Sequence, residues 1–170
     1  MEIANINDID EIVELYRFVI DEVNKTNVKL GWNIDVYPNY DFVKDAINNN
    51  EMCILKQDGK IISAGVVNHN VNKEYDDIDW QIKSPKDKIS TIHALATHPD
   101  YRGVVSSQML ADIHSFCKAN GDVAIHLDVI DTNIPAYKLY LKNEYNLIEQ
   151  IKMYYEVVGT REFWMLEKIL

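Results

Sequence analysis

At 170 residues, 47% of them apolar, the chain has the size and composition of one compact domain (1–170) with its own core. Twenty-seven acidic against 17 basic residues give a net charge of −10, which repels polyanions and argues against a nucleic-acid partner, while suiting an approaching cation or simple solubility. No run approaches the roughly 18 consecutive apolar residues of a membrane span, so no membrane partner and a cytoplasmic location are expected.

From Asp8 to about Lys25, Ile9, Ile12, Val13, Leu15, Tyr16, Val19, Ile20 and Val23 recur at helical spacing, with Asp8 placed to cap the start. An aromatic-rich connection through Trp32 and Tyr37 leads to a shorter second helix over Asp41 to Asn48. EMCILKQ and KIISAGVVNHN flank Asp58-Gly59, a strong hairpin signal. The polar stretch VNKEYDDIDWQIKSPKD reads as a loop with part of a strand, and KISTIHALATH as a further strand ending before Pro99. A third helix is predicted from about Val105 to Asn120, with Gly121 as its stop. VAIHLDVI is a buried type of strand, and a fourth helix begins near Ile134-Pro135. QIKMYYEVV and REFWMLEKIL close the chain as a hairpin around Gly159-Thr160. Cys53 and Cys117 fit no metal spacing and no disulfide framework; they read as buried reduced thiols, and no metal is expected.

Two junctions carry the chemistry. A strand ends in Leu95-Ala96-Thr97-His98-Pro99, turns through Tyr101-Arg102-Gly103 and enters a helix; farther on, Asn133, Ala136 and Tyr140 stand at the next strand-to-helix junction. Together, with the order of elements along the whole chain, they resemble the GNAT superfamily of acyl-CoA-dependent N-acyltransferases. The resemblance implies a mixed α/β (α+β) fold, a mostly antiparallel central sheet of six to seven strands flanked by about four helices. It also implies acetyl-CoA as cosubstrate and a small-molecule amine or peptide as acceptor. A homodimer is left open.

By the same resemblance, the backbone of Leu95, Ala96 and Thr97 would pair with the pantetheine arm, Asn133 would contact the cofactor, and Tyr140 would protonate the departing thiolate. His93 stands where many members carry a glutamate base; an imidazole suits that work, and packing beside the cleft is its equal alternative. Two residues before Leu95, it is expected on the same strand face. The pyrophosphate loop departs from the pattern. Arg102, Gly103, Val104, Val105, Ser106 and Ser107 occupy it, and the last two customary glycines are missing. The unpaired N–H groups at the helix start would still attract an anion, with Arg102 adding charge and Ser106 and Ser107 adding hydroxyl donors.

Trp32, Tyr37, Tyr40, Tyr75 and Trp80 are candidate walls for the acceptor, and Asp35, Asp76, Asp77 and Asp79 candidate attractors of an amine. The leading expectation is an N-acetyltransferase working by direct attack in a ternary complex. The alternative is a non-catalytic acyl-CoA-binding or protein-interaction module whose pyrophosphate loop has degenerated.

Overall fold

The apolar stripe winds into helix α1 (Ile9–Asn24), which buries Ile9, Ile12, Leu15, Tyr16, Val19, Ile20 and Val23, as a 3.6-residue period requires. The computed structural model describes all residues from 1 to 170. One 3-10 turn, Ile6–Asp8, precedes the helix and is capped by Asn5; Asp8 holds the N-cap position of α1 but makes no side-chain bond to that helix. Asn5 Oδ1 accepts from the Asn7 N–H at 3.0 Å while Asp8 Oδ2 accepts from the Asn5 N–H at 2.8 Å, a reciprocal arrangement that satisfies otherwise orphaned donors. Helix α2 (Tyr40–Asn48) is capped by Asn39 and buries Val43, Ala46 and Ile47.

The strands are β1 (Glu2–Ile3), β2 (Met52–Gln57), β3 (Lys60–Asn68), β4 (Ile89–Thr97), β5 (Ala124–Ile130), β6 (Asn146–Tyr155) and β7 (Gly159–Ile169). They form one seven-stranded sheet in the order β1-β2-β3-β4-β5-β7-β6. Every neighbouring pair is antiparallel except β4 and β5. The mixed α/β class and the strand count agree with expectation. Strand β1 was not foreseen, because two residues carry no period.

At the β2–β3 hairpin Asp58 and Gly59 take φ of 51° and 78°, the left-handed pair that a tight turn between twisted strands demands. The closing hairpin turns earlier than Gly159-Thr160: Gly159 already pairs with Tyr155 in β7, and β6 begins at Asn146 rather than Gln150.

The connection from 69 to 88 contains two 3-10 turns, Lys73–Asp77 and Lys86–Lys88, and none of the expected strand. Its amides find a side chain instead of a neighbouring strand. Fully buried Glu167 accepts from the Gln81 N–H at 3.0 Å, the Ile82 N–H at 3.2 Å and His126 Nε2 at 2.9 Å. Trp80 stacks on His126 with ring centroids 3.6 Å apart.

Helices α1 and α2 cover one sheet face, packing on Met52, Ile54, Ala64, Val66, Ala94 and Ala96. Helices α3 (Val104–Ala119) and α4 (Ile134–Lys142) cover the other, over Cys53, Val67, Ile92, Ile125, Leu127, Val129 and Leu166. Tyr75, Ile78 and Trp80 from the 69–88 connection pack on Ile130, Phe163 and Met165, beside α1 and α2. No helix is long and apolar enough to cross a membrane.

Candidate active site

Strands β4 and β5 pair only at their first residues, Ile89 with Ala124, Ser90 with Ile125 and Thr91 with His126. Beyond Thr91 they part. From there β4 pairs only with β3, and β5 only with β7, so each turns an unpaired backbone edge toward the gap. A cavity of about 910 Å³ occupies this wedge and is lined from both faces of the sheet.

The β4 edge carries a bulge. Ala64 pairs with Ala96 and Val66 with His93, so Gly65 alone faces the pair Ala94 and Leu95. Ala94 adopts φ 49°, and the Tyr16 O–H from α1 donates to its carbonyl at 2.8 Å inside the core. A Cβ on Gly65 would stand 3.0 Å from Leu95 Cδ1, so a larger residue there would require the Leu95 side chain to shift. The extra residue switches the parity of the strand. Ile92 and Leu95 pack toward α3 and α4. Ala94 and Ala96 pack toward α1 and α2, and His93 shares that side with its partner Val66. His93 and Leu95, expected on one face, therefore lie on opposite faces.

On the α3/α4 side the first intrahelical bond of α3 runs from the Ser107 N–H to the Gly103 carbonyl at 3.1 Å, and no side chain caps the helix. The Val104, Val105 and Ser106 amides are thus free to meet an anion. Gly103 takes φ 91°, with nothing within 4 Å of where a Cβ would sit. Val104 is 84% exposed. Arg102, Gly103 and Ser106 line the cavity, whereas Val104, Val105 and Ser107 do not.

The expected hydroxyl donors are differently disposed. The Ser106 O–H donates to Thr97 Oγ1 at 3.1 Å, Thr97 Oγ1 lies 3.0 Å from Ser63 Oγ, and the Ser63 O–H donates to the Ala96 carbonyl at 2.8 Å. With one hydrogen per hydroxyl, this is a single directed chain from the helix start to β4. Ser107 accepts from Asn143 Nδ2 at 3.3 Å. Asn133 caps α4, its Oδ1 accepting from the Ala136 N–H at 3.3 Å, and also lines the cavity with Leu95, Ala96 and Thr97. Tyr140 is buried in α4, edge-on to Tyr145, and lines the cavity too. Burial and the nearby Asp128 charge hold its phenol well above the usual range, so it is protonated at neutral pH.

On the α1/α2 side His93 Nε2 lies 3.0 Å from the Asn70 carbonyl and 3.1 Å from Asn68 Oδ1. A carbonyl cannot donate, so Nε2 carries the hydrogen and Nδ1 the lone pair. Burial lowers the imidazole pKa, opposed by the Asn70 hydrogen bond and the Glu51 charge. Trp32 and Tyr37 line this side; Tyr40, Tyr75 and Trp80 do not. None of Asp35, Asp76, Asp77 and Asp79 reaches the cavity, and Asp76 and Asp79 pair with Lys86 and Lys83 at 2.5 and 2.6 Å. The carboxylates that do line it are Asp45, Glu51 and Asp128.

Asp128 escaped the sequence reading, although a lone charge within VAIHLDVI was its signal. Its Oδ2 accepts from the Tyr75 O–H at 2.9 Å and the Tyr155 O–H at 3.3 Å. Burial raises its carboxyl above the usual range, with Glu74 pushing the same way and both phenols opposing. The free thiols Cys53 and Cys117 lie outside the cavity, and burial pushes them up to about 12 and about 11. No group of three or more His, Cys, Asp or Glu side chains is arranged to hold a metal ion.

The model of the acetyltransferase (GNAT) family matches residues 12–145. The chain belongs to this family. Acetyl transfer is accordingly the chemistry of this GNAT enzyme, and acetyl-CoA the family's donor. No curated protein matches the sequence. Among solved structures, a GNAT-family acetyltransferase from Streptococcus agalactiae is similar at TM-score 0.82 and 21% identity, over 99% of this chain and 94% of that one. The yncA protein of Salmonella typhimurium, solved with its cofactor acetyl-CoA, is similar at TM-score 0.70 and 14% identity, over 99% and 92%. The ribosomal-protein-S18-alanine N-acetyltransferase of Escherichia coli is similar at TM-score 0.66 and 15% identity, over 98% and 90%.

Proposed function

We propose that this GNAT enzyme moves an acetyl group from acetyl-CoA directly to a primary amine of a small molecule or peptide, both substrates meeting in the wedge between β4 and β5. One observation carries the reading: the open edge of β4, the uncapped start of α3 and the buried phenol of Tyr140 all border a single cavity that continues to the α1/α2 face.

The residues present fit the donor. Gly103, at φ 91° with open space around it, leaves room for a diphosphate, and exposed Val104 does not line the cavity. The Val104, Val105 and Ser106 amides would hold that group with Arg102, and Ser107 has a hydroxyl hydrogen to spare. The edge of β4 at Leu95, Ala96 and Thr97 would hold the pantetheine arm as an added strand, with Asn133 beside it. Acetyl-CoA supplies the activated acyl group as a thioester, and Tyr140 protonates the thiolate that leaves. A base on the acceptor side is also needed; the family resemblance nominates His93, which has Nδ1 free. Cysteine thiols held so far up do not serve as nucleophiles, which favours direct attack over a covalent acyl-enzyme.

The non-catalytic alternative draws its support from the missing glycines, and calorimetry with acetyl-CoA decides. Binding followed by thiol release with an amine supports the enzyme; binding with no release across an amine panel supports the module; no binding removes both.

A further inference from the structure

We infer that Asp128 is the residue that receives the acceptor: its carboxylate binds the ammonium form and takes its proton, on an aromatic wall suited to a primary amine borne by a flat apolar body. This rests on the acetyl-transfer reading above and names its amine-side group.

The three buried carboxylates, Asp8, Asp122 and Glu167, are engaged on both oxygens, and half-buried Asp131, whose Oδ1 has no partner, does not line the cavity. Asp8 takes Lys56 on Oδ1 and the Asn5 N–H on Oδ2. Asp122 takes His69 on Oδ1 and Ser90 on Oδ2. Glu167 takes His126 and an amide on Oε1 and a second amide on Oε2. Asp128 differs in each respect. Both protein donors fall on Oδ2, both are neutral phenols, Oδ1 takes none, and the residue borders the cavity. Half-buried at the cavity wall with Oδ1 unpaired and no cationic side chain on it, the carboxylate is left for a cationic ligand to pair.

Its neighbours agree. Asp128 sits between Leu127 and Val129, which turn to the α3/α4 core, so it faces the α1/α2 side, as His93 does. Trp32, Tyr37, Tyr155 and Phe163 line the same cavity, and such rings favour a cation on an apolar stem. The charged and titratable groups around the carboxylate are Glu74 and Tyr75 from the 69–88 connection, Tyr155 from β6, Tyr37 before α2 and Tyr140 from α4. None of them is a cation. His93, whose Nε2 is held by Asn68 and Asn70 and whose Nδ1 is free, is a neutral imidazole and brings no negative charge to draw an ammonium.

Protons and electrons balance. Asp128 takes one proton from the ammonium; the freed nitrogen pair forms the C–N bond to the acetyl carbon as the C–S bond breaks. The thiolate takes the proton of Tyr140, whose phenolate recovers the second N–H proton from the new amide. Asp128 returns its own to solvent, so one proton is released per turnover.

The test uses the full chain, with phenethylamine as cationic probe and 2-phenylethanol as its neutral match, titrated by calorimetry with and without CoA. Wild type is expected to bind the amine in preference to the alcohol, and Asp128→Asn to lose that preference while keeping its affinity for CoA and its melting temperature. Acetylation of phenethylamine should fall about 10²–10⁴-fold in Asp128→Asn, against about tenfold or less in His93→Gln. Tyr155→Phe, which removes a hydrogen bond that lowers the Asp128 pKa, should move the acid limb of kcat/KM to higher pH.

No preference for the amine in wild type, a preference that survives in Asp128→Asn, or a larger loss in His93→Gln than in Asp128→Asn overturns the assignment. Failure of wild type to bind CoA overturns the acetyl-transfer reading instead, and the titration without CoA still reads Asp128.

Discussion

The two walls of the wedge are built from different materials. On the α3/α4 side the groups proposed to bind the donor are mainly peptide amides, at the first turn of α3 and along β4; on the α1/α2 side those proposed to meet the acceptor are individual side chains, His93, Asp128 and the surrounding rings. The first wall tolerates substitution because a backbone amide survives a change of side chain. Counted from Arg102, Val105 and Ser107 stand where the missing glycines are customary, and neither lines the cavity; Gly103, with its positive φ, has no substitute. The second wall has no such tolerance, since each carboxylate or imidazole is present once.

Exchanging substitutions between the walls sharpens this contrast. The largest effect on the donor side is expected from Tyr140→Phe, where a side chain does the work: kcat should drop about 10²–10⁴-fold with affinity for CoA intact. Stopped thiol release against calorimetric affinity checks the split, and an equal loss in both would place Tyr140 among packing residues.

Next comes Gly103→Val, which forces a branched residue into φ 91°. At about 1–3 kcal/mol of backbone strain, CoA should bind roughly tenfold more weakly or worse. Unaltered affinity would mean that this turn does not set the approach to the helix start.

Tyr16→Phe follows. It strips the donor from a buried Ala94 carbonyl, so unfolding by denaturant should show a loss of about 1–3 kcal/mol, with turnover reduced because the bulge positions His93 and Leu95.

The smallest effect concerns pH. Burial, aided by the Lys168 charge and opposed by Glu144, lowers His114 from 6.5 to about 4. The folded form resists a proton that the unfolded form accepts. Stability from this site is therefore complete above pH 6.5 and declines as pH falls toward about 4. His114→Gln, which keeps a partner for the Tyr145 hydroxyl, should flatten that part of the melting-temperature profile.

The sequence disclosed elements whose period is long enough to register, such as the α1 stripe, the Asp58-Gly59 turn and the branched run of β5. Strand β1 was too short to register, and the Asn5 cap was concealed by an acidic residue one turn later that looked equally suitable. The connection over 69–88 hid its nature for another reason: its amides are satisfied by Glu167, nearly ninety residues on in sequence for the Gln81 contact. The residues expected at the donor site could be nominated together because they fall in two short stretches, 95–107 and 133–140.

On the proposed acceptor side the sequence named Trp32, Tyr37 and His93, which line the cavity, but not Asp128 and Tyr155, which join them only through the sheet order. The bulge was the least visible feature. Alanine carries no mark of a positive φ, and strict alternation from Leu95 back to His93 led to the wrong face.

The kink at Ala94 separates two jobs along one strand. His93, just ahead of it, faces the side from which we propose the amine arrives; Leu95, just past it, is turned toward α3 and α4, the proposed coenzyme side. An engineer seeking new acceptors can therefore rework His93 and the rings opposite it while leaving the grip on the thioester untouched, provided the length of chain between Val66 and Ala96 stays the same.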